Sequence, residues 1–178
     1  RIRHGIARSF QNVRLMAHLT VLDNLVVGQH ARASGLVDLF VPFRLVPGHR
    51  WRREAVDALA QVGLDTYAHH RVASLPYGVR KRIDLVRATL AGASLLMLDE
   101  PAAGLNPSET NALREHLALL RRAGTTLLVV EHDMHFVGQV CDHVVVLNFG
   151  AKIAEGRLAE VQRDEAVRSA YLGQKAAA

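Results

Sequence analysis

Residues 95–101 read Leu-Leu-Met-Leu-Asp-Glu-Pro. Four apolar residues without polar alternation suit a strand covered on both faces, as inside a parallel sheet, and two carboxylates follow at its carboxyl end. Open α/β sheets hold their ligands at that end. Adjacent Asp99 and Glu100 cannot both be desolvated cheaply, because an unpaired carboxylate is costly to bury and like charges repel, so a cationic neighbour is expected beside them.

Downstream, Asn106, Pro107 and Glu109 combine a side-chain cap, a proline in the first turn and an acid at the third position, which together start a helix. Leu113, Leu117 and Leu120 give it a buried stripe, Arg121 and Arg122 suit its negative end, and Gly124 stops it. A second apolar strand over residues 125–130 then ends at Glu131, His132 and Asp133. Two strands joined by a helix form a parallel crossover, which sets their carboxyl ends side by side. His132 alone would more often be a capping or core histidine; beside Asp99 and Glu100 it becomes a site candidate.

Upstream, residues 5–10 read as a short strand leading to polar Gln11 and Asn12. Thr20 followed by Asp23 reads as a helix start, with Leu22, Leu25 and Val26 on one face and an end near Gln29. From 33 to 50, Gly35, Pro42, Pro47 and Gly48 interrupt an apolar stretch carrying Leu36, Phe40, Phe43 and Leu45, which suits a covering loop or a partner surface. Trp51, Ala55, Leu59 and Val62 recur at helical spacing before Gly63, which fits the left-handed position after a helix. Leu-Pro-Tyr-Gly-Val at 75–79 is a turn into a helix from about 78 to 91, where Gly78 lets backbone approach a ligand and amides at a helix start attract anions. Near the end, residues 144–147 and 152–154 around Asn148, Phe149 and Gly150 read as a hairpin, followed by helical turns to 172.

The 178 residues are 49% hydrophobic and 22% charged, which supports one folded domain with a core. No apolar run approaches the roughly 20 residues of a membrane helix, and the basic start is unlike a secretory signal, so a soluble chain is expected. A single cysteine, Cys141, excludes an internal disulfide and suits a reducing compartment, with core filling as its expected role. The net charge of +5 comes from 22 basic residues scattered among 17 acidic ones, densest at Arg80, Lys81 and Arg82, and not from one nucleic-acid-binding block. The 10 histidines are dispersed and read mostly as surface residues.

Taken together, these motifs resemble the nucleotide-binding subunit of ABC transporters, nearly from end to end. Residues 95–101 are similar to the Walker B strand with its catalytic glutamate, 102–106 to the D-loop, and 131–134 to the segment with the switch histidine. Gln11 stands where the Q-loop glutamine belongs, and 75–79 hold the signature position. The wording Leu-Pro-Tyr-Gly, Asp-Glu-Pro-Ala-Ala-Gly-Leu-Asn-Pro, Glu-His-Asp-Met and Ala-Tyr-Leu-Gly is similar to the subunits of bacterial branched-chain amino-acid importers.

That resemblance implies an ABC-type α/β fold, a mostly parallel sheet core with a helical subdomain, incomplete at the amino end. It implies a helical subdomain over about 20–90, an α/β core over 91–157 and a helical tail over 158–178. It further implies ATP and Mg2+ as cofactors, with Asp99 and Gln11 as metal ligands, Glu100 as general base and His132 at the γ-phosphate. Tyr77, Gly78 and Asn106 would face nucleotide held by a second nucleotide-binding subunit. Transmembrane permease subunits and, indirectly, a periplasmic solute-binding protein are the implied partners, at the cytoplasmic face of the inner membrane, with no nucleic acid expected.

The sequence also departs from the family pattern. It contains no Gly-x-x-x-x-Gly-Lys-Ser/Thr loop to cradle phosphates and no upstream aromatic for adenine. Because the family places both before the Q-loop, the resemblance implies a chain whose amino-terminal portion is missing, with weak Mg-ATP binding and no hydrolysis expected of it alone. A missing strand would also leave a sheet edge and apolar surface exposed. In the signature, Pro76 stands for a serine, Tyr77 for a glycine and Val79 for a glutamine; Asn106 stands where many relatives carry aspartate. Two alternatives remain beside the importer subunit: a non-catalytic interaction fragment, and a soluble ABC ATPase acting on nucleic acid or the ribosome.

Overall fold

The computed structural model describes residues 5–8, 13–29 and 49–172. The chain forms two compact units, Arg1–Val130 and Glu131–Ala178. No helix among the described residues is long and apolar enough to cross a membrane.

In the first unit, β1 (Ile6–Arg8), β2 (Leu95–Asp99) and β3 (Thr126–Val130) form a parallel sheet in the order β1-β2-β3. Arg8 pairs in register with Met97, and Asp99 with Val130. Among the described residues its α-helices are α1 (Val21–Gly28), α2 (Arg50–Gln61), α3 (Tyr77–Leu90) and α4 (Pro107–Arg122), the last being the crossover between β2 and β3. The expected neighbouring parallel strands are therefore present.

Cover on both faces of β2 is not found among the described residues. Leu96 and Leu98 are buried, but the alternation of a strand puts Met97 and Asp99 on the opposite face, level with Leu128 and Val130 of β3. Those two are 49% and 59% exposed, so the described elements cover one side of the sheet.

The helices α1, α2 and α3 share a core of Leu22, Leu25, Val26, Trp51, Ala55, Leu59, Ile83 and Val86. Each of the leucines, valines and isoleucine among them contributes roughly 1.5–3 kcal/mol by leaving water. At the start of α1, Thr20 Oγ1 accepts from the Asp23 amide at 3.1 Å. The amides of Val21 and Leu22, which no helical carbonyl can reach, donate to the carbonyls of His70 and Ala68. Gly63 follows α2 at φ +66°, the left-handed position expected for it. Residues 36–45, with Phe40 and Phe43, lie outside the described residues.

The second unit contains α5 (Met134–Val140), the antiparallel pair β4 (Val144–Asn148) and β5 (Ala151–Gly156), α6 (Leu158–Val161) and α7 (Glu165–Leu172). Val146, Val161 and Val167 form its core. Cys141, expected inside a core, is half-buried at the end of α5, because the chain leaves the helix there in an extended conformation.

The hairpin turns through Phe149 and Gly150, both at positive φ (+48° and +82°), which is the type I′ pattern matching strand twist. Phe149 is 99% exposed and so gains nothing from packing to offset its left-handed backbone. Phe149→Asn is expected to stabilise this unit by about 0.5–1 kcal/mol, read as a higher thermal midpoint; an unchanged or lower midpoint contradicts it.

Candidate functional site

Asp99 closes β2 and Glu100 follows outside it. The cation expected beside them is Arg8, at the end of β1, whose Nη2 donates to Asp99 Oδ2 at 3.0 Å. Both side chains are partly exposed, at 45% and 36%. Arg8 is absent from the sequence-derived site. Its only sequence signal is that it lies within the strand read over 5–10, which leads to Gln11.

Glu100 is at φ +45°, one of two non-glycine residues with positive φ among those described. Its amide donates to the Val130 carbonyl at 2.9 Å, which fastens the turn after β2 to the end of β3. Backbone held in that region is energetically unfavourable and persists where surrounding contacts determine it, a pattern found at functional sites.

Further along, the Asn106 side chain accepts from the Glu109 amide while the Glu109 carboxylate accepts from the Asn106 amide, both at 2.9 Å. This reciprocal cap starts α4 as expected. Glu109 has a second position in the site. A β-carbon added at Gly78 would lie 2.0 Å from Glu109 Oε1, so the space left by that glycine is filled from within the chain. Tyr77 meets the same region, since a β-carbon at Gly104 would lie 3.3 Å from its ring. The start of α3 has no side-chain cap, because Pro76 occupies that position. Val79 is half-buried against the core of the helical cluster, where a glutamine would have to place an amide.

Gly78→Ala therefore displaces the Glu109 carboxylate and breaks its bond to the Asn106 amide, one arm of the capping box of α4. The expected cost is about 0.5 kcal/mol in the first unit, the lost charge-assisted bond outweighing the helix propensity gained. In a Glu109→Ala background the same substitution is expected to cost nothing, and an equal cost in both backgrounds excludes this cause.

Of the residues singled out from sequence, Asp99, Glu100, Tyr77, Gly78 and Asn106 are all placed in the first unit, on β2, the turn after it, and the starts of α3 and α4. Gln11 lies outside the described residues. His132 belongs to the second unit, with its side chain 70% exposed and its amide donating to Glu131 Oε2 at 3.2 Å. Among the described residues no group of three or more His, Cys, Asp or Glu side chains converges to hold a metal. Asp99 is a hard oxygen ligand already facing a cation, and this donor set fits Mg2+ held largely by phosphate and water oxygens.

Comparison with known proteins decides the family. The ABC transporter family description matches residues 1–103. This chain belongs to the ABC transporter family. A second description, of branched-chain amino acid ATP-binding cassette transporters, matches residues 151–177. The high-affinity branched-chain amino acid transport ATP-binding protein BraF of Pseudomonas aeruginosa is 40% identical over 177 residues, covering 97% of this chain and 69% of that protein. LivG of Escherichia coli, of the same description, is 39% identical over 178 residues, with the same two shares.

Among solved structures, the ADP conformation of an ATP-binding cassette of an ABC transporter superposes with a TM-score of 0.80 at 29% identity, covering 97% of this chain and 70% of that one. A nucleotide-free cassette gives 0.78 at 28%, covering 96% and 69%. The expected ABC-type α/β fold is thus found. The homologues are ATP-binding subunits of branched-chain amino acid transporters, as the signature wording implied.

Proposed function

We propose that this chain is the ATP-binding and ATP-hydrolysing subunit that energises an importer of branched-chain amino acids, or of related amino acids or amides. The observation that carries the reading is the carboxylate pair at the end of a central parallel strand, Asp99 engaging a cation and Glu100 fixed in a left-handed turn. The relatives' descriptions support the substrate class.

In this reading the reaction is phosphoryl transfer to water, where positioning and charge stabilisation supply most of the rate. Mg2+, when bound, would supply positive charge to offset the charge that develops on the phosphate. Asp99 and Gln11 would hold it, which requires Asp99 to give up part of its ion pair with Arg8. Glu100 takes the proton of the attacking water as general base. His132 donates to a γ-phosphate oxygen and steadies the charge that builds there. Tyr77 and Gly78, at the uncapped start of α3, face the γ-phosphate of nucleotide held by a second subunit, with Asn106 at the same interface.

The partners are a second nucleotide-binding subunit and transmembrane permease subunits, with a periplasmic solute-binding protein acting through them, at the cytoplasmic face of the bacterial inner membrane. Co-purification with the membrane permeases from cells tests the assignment. Nuclease-sensitive association with nucleic acid, without permeases, would instead favour the soluble ATPase.

A further inference from the structure

Lys81 lies on α3, one turn beyond Tyr77, and is buried at 9% exposure. Burying an ammonium is costly unless acceptors surround it, so its partners matter. Its Nζ donates to the carbonyl of Glu100 and to the carbonyl of Ala103, each at 2.8 Å. It also lies 5.8 Å from the centre of the Tyr77 ring. The Glu100 carbonyl additionally accepts from the Ala103 amide at 3.2 Å, while the Glu100 amide is bound to Val130. Both backbone polar groups of Glu100 are therefore tied, on one side to β3 and on the other to α3.

We propose that Lys81 is a positioning residue for Glu100: from the helix that follows Leu75–Val79, its ammonium clamps the two carbonyls of the turn carrying the base and so fixes the direction of that carboxylate. The proposal rests on the reading of Glu100 as the group that takes the water's proton. The physical reason for a lysine is geometric. Two carbonyls three residues apart converge on one point, and a tetrahedral ammonium has three donors to offer them, whereas a neutral amide has two in a plane. The charge strengthens both bonds, which a residue held at positive φ requires if it is to stay there. The same clamp joins the start of α3 to the turn holding the base, so a displacement of either is felt by the other.

The wild-type chain provides the first test without any substitution. Scalar couplings across hydrogen bonds, from Lys81 Nζ to the carbonyl carbons of Glu100 and Ala103, are expected in NMR spectra of isotope-labelled protein. Their absence at both carbonyls overturns the proposal. Hydrogen exchange supplies the second. Lys81→Met is expected to speed exchange of the Ala103, Gly104 and Leu105 amides about tenfold, leave Leu25 and Val26 in α1 unchanged, and be rescued by Lys81→Arg. Uniform acceleration through the unit would mark a merely structural lysine and sink the idea. In the assembled transporter, Lys81→Met is expected to lower kcat for ATP about tenfold with KM unchanged; an unchanged kcat also overturns it. The NMR and exchange readouts need no nucleotide, so they stand or fall separately from the assignment of Glu100 as base.

Discussion

Glu100→Gln is expected to lower the ATP turnover of a transporter assembled with this subunit by about 10²–10⁴-fold, with nucleotide binding retained. The amide is nearly the same size as the carboxylate and can keep the backbone bonds to Val130, Lys81 and Ala103, so the turn should hold its shape. What is lost is the ability to accept the water's proton. Because that loss acts on the transition state and not on ground-state binding, it appears in kcat with KM for ATP little changed. Steady-state hydrolysis measured beside nucleotide binding provides the check. Equal turnover by the variant would remove Glu100 from the mechanism, and a loss of binding with turnover would point to a collapsed turn.

Acid should weaken the first unit through His116. This histidine lies on the buried side of α4, 4% exposed, and its Nδ1 has no hydrogen-bond partner among the described residues. Burial, and next the charge of Arg82 on α3, push its pKa down from 6.5 to about 4. Between those values the unfolded chain binds a proton that the native unit refuses, so falling pH favours unfolding. The contribution is complete above pH 6.5 and is lost as the pH falls toward about 4, on the order of 3 kcal/mol in all. Asp84 acts in the opposite sense. Burial raises its pKa against the opposing Arg87, so the native unit holds that proton more readily, offsetting part of the loss near the acidic end. Denaturant unfolding between pH 7 and pH 4.5 should therefore show a shallower pH dependence for His116→Phe than for wild type. Parallel curves would mean the imidazole is solvated in the native state.

Much of this architecture was legible in the residue order. Local chemistry set the helix starts at Thr20 and Asn106, the left-handed stops at Gly63 and Gly124, and the hairpin turn at Phe149 and Gly150. Unbroken apolar runs on either side of one amphipathic helix specified the parallel pair of β2 and β3, because only a crossover connection fits that pattern. The carboxylate pair, and the need for a cation beside it, followed from position and desolvation alone. Tyr77, Gly78 and Asn106 were picked out by the wording of their motifs, as residues expected to face nucleotide held by a second subunit.

The rest depended on which side chains meet across the chain, and sequence spacing carries no such information. The cation proved to be Arg8, 91 residues from Asp99. Lys81 read only as one member of the densest basic cluster, yet it is buried, with two carbonyls of the turn after β2 converging on its ammonium. His116 read as one more dispersed histidine and is instead buried beside Leu117 on the inward side of α4. Periodicity and capping are properties of neighbours along the chain, so the order of residues determined the elements and the chemistry at their ends. Burial, pairing and the hold on Glu100 are properties of neighbours in space, and only the folded chain decided them.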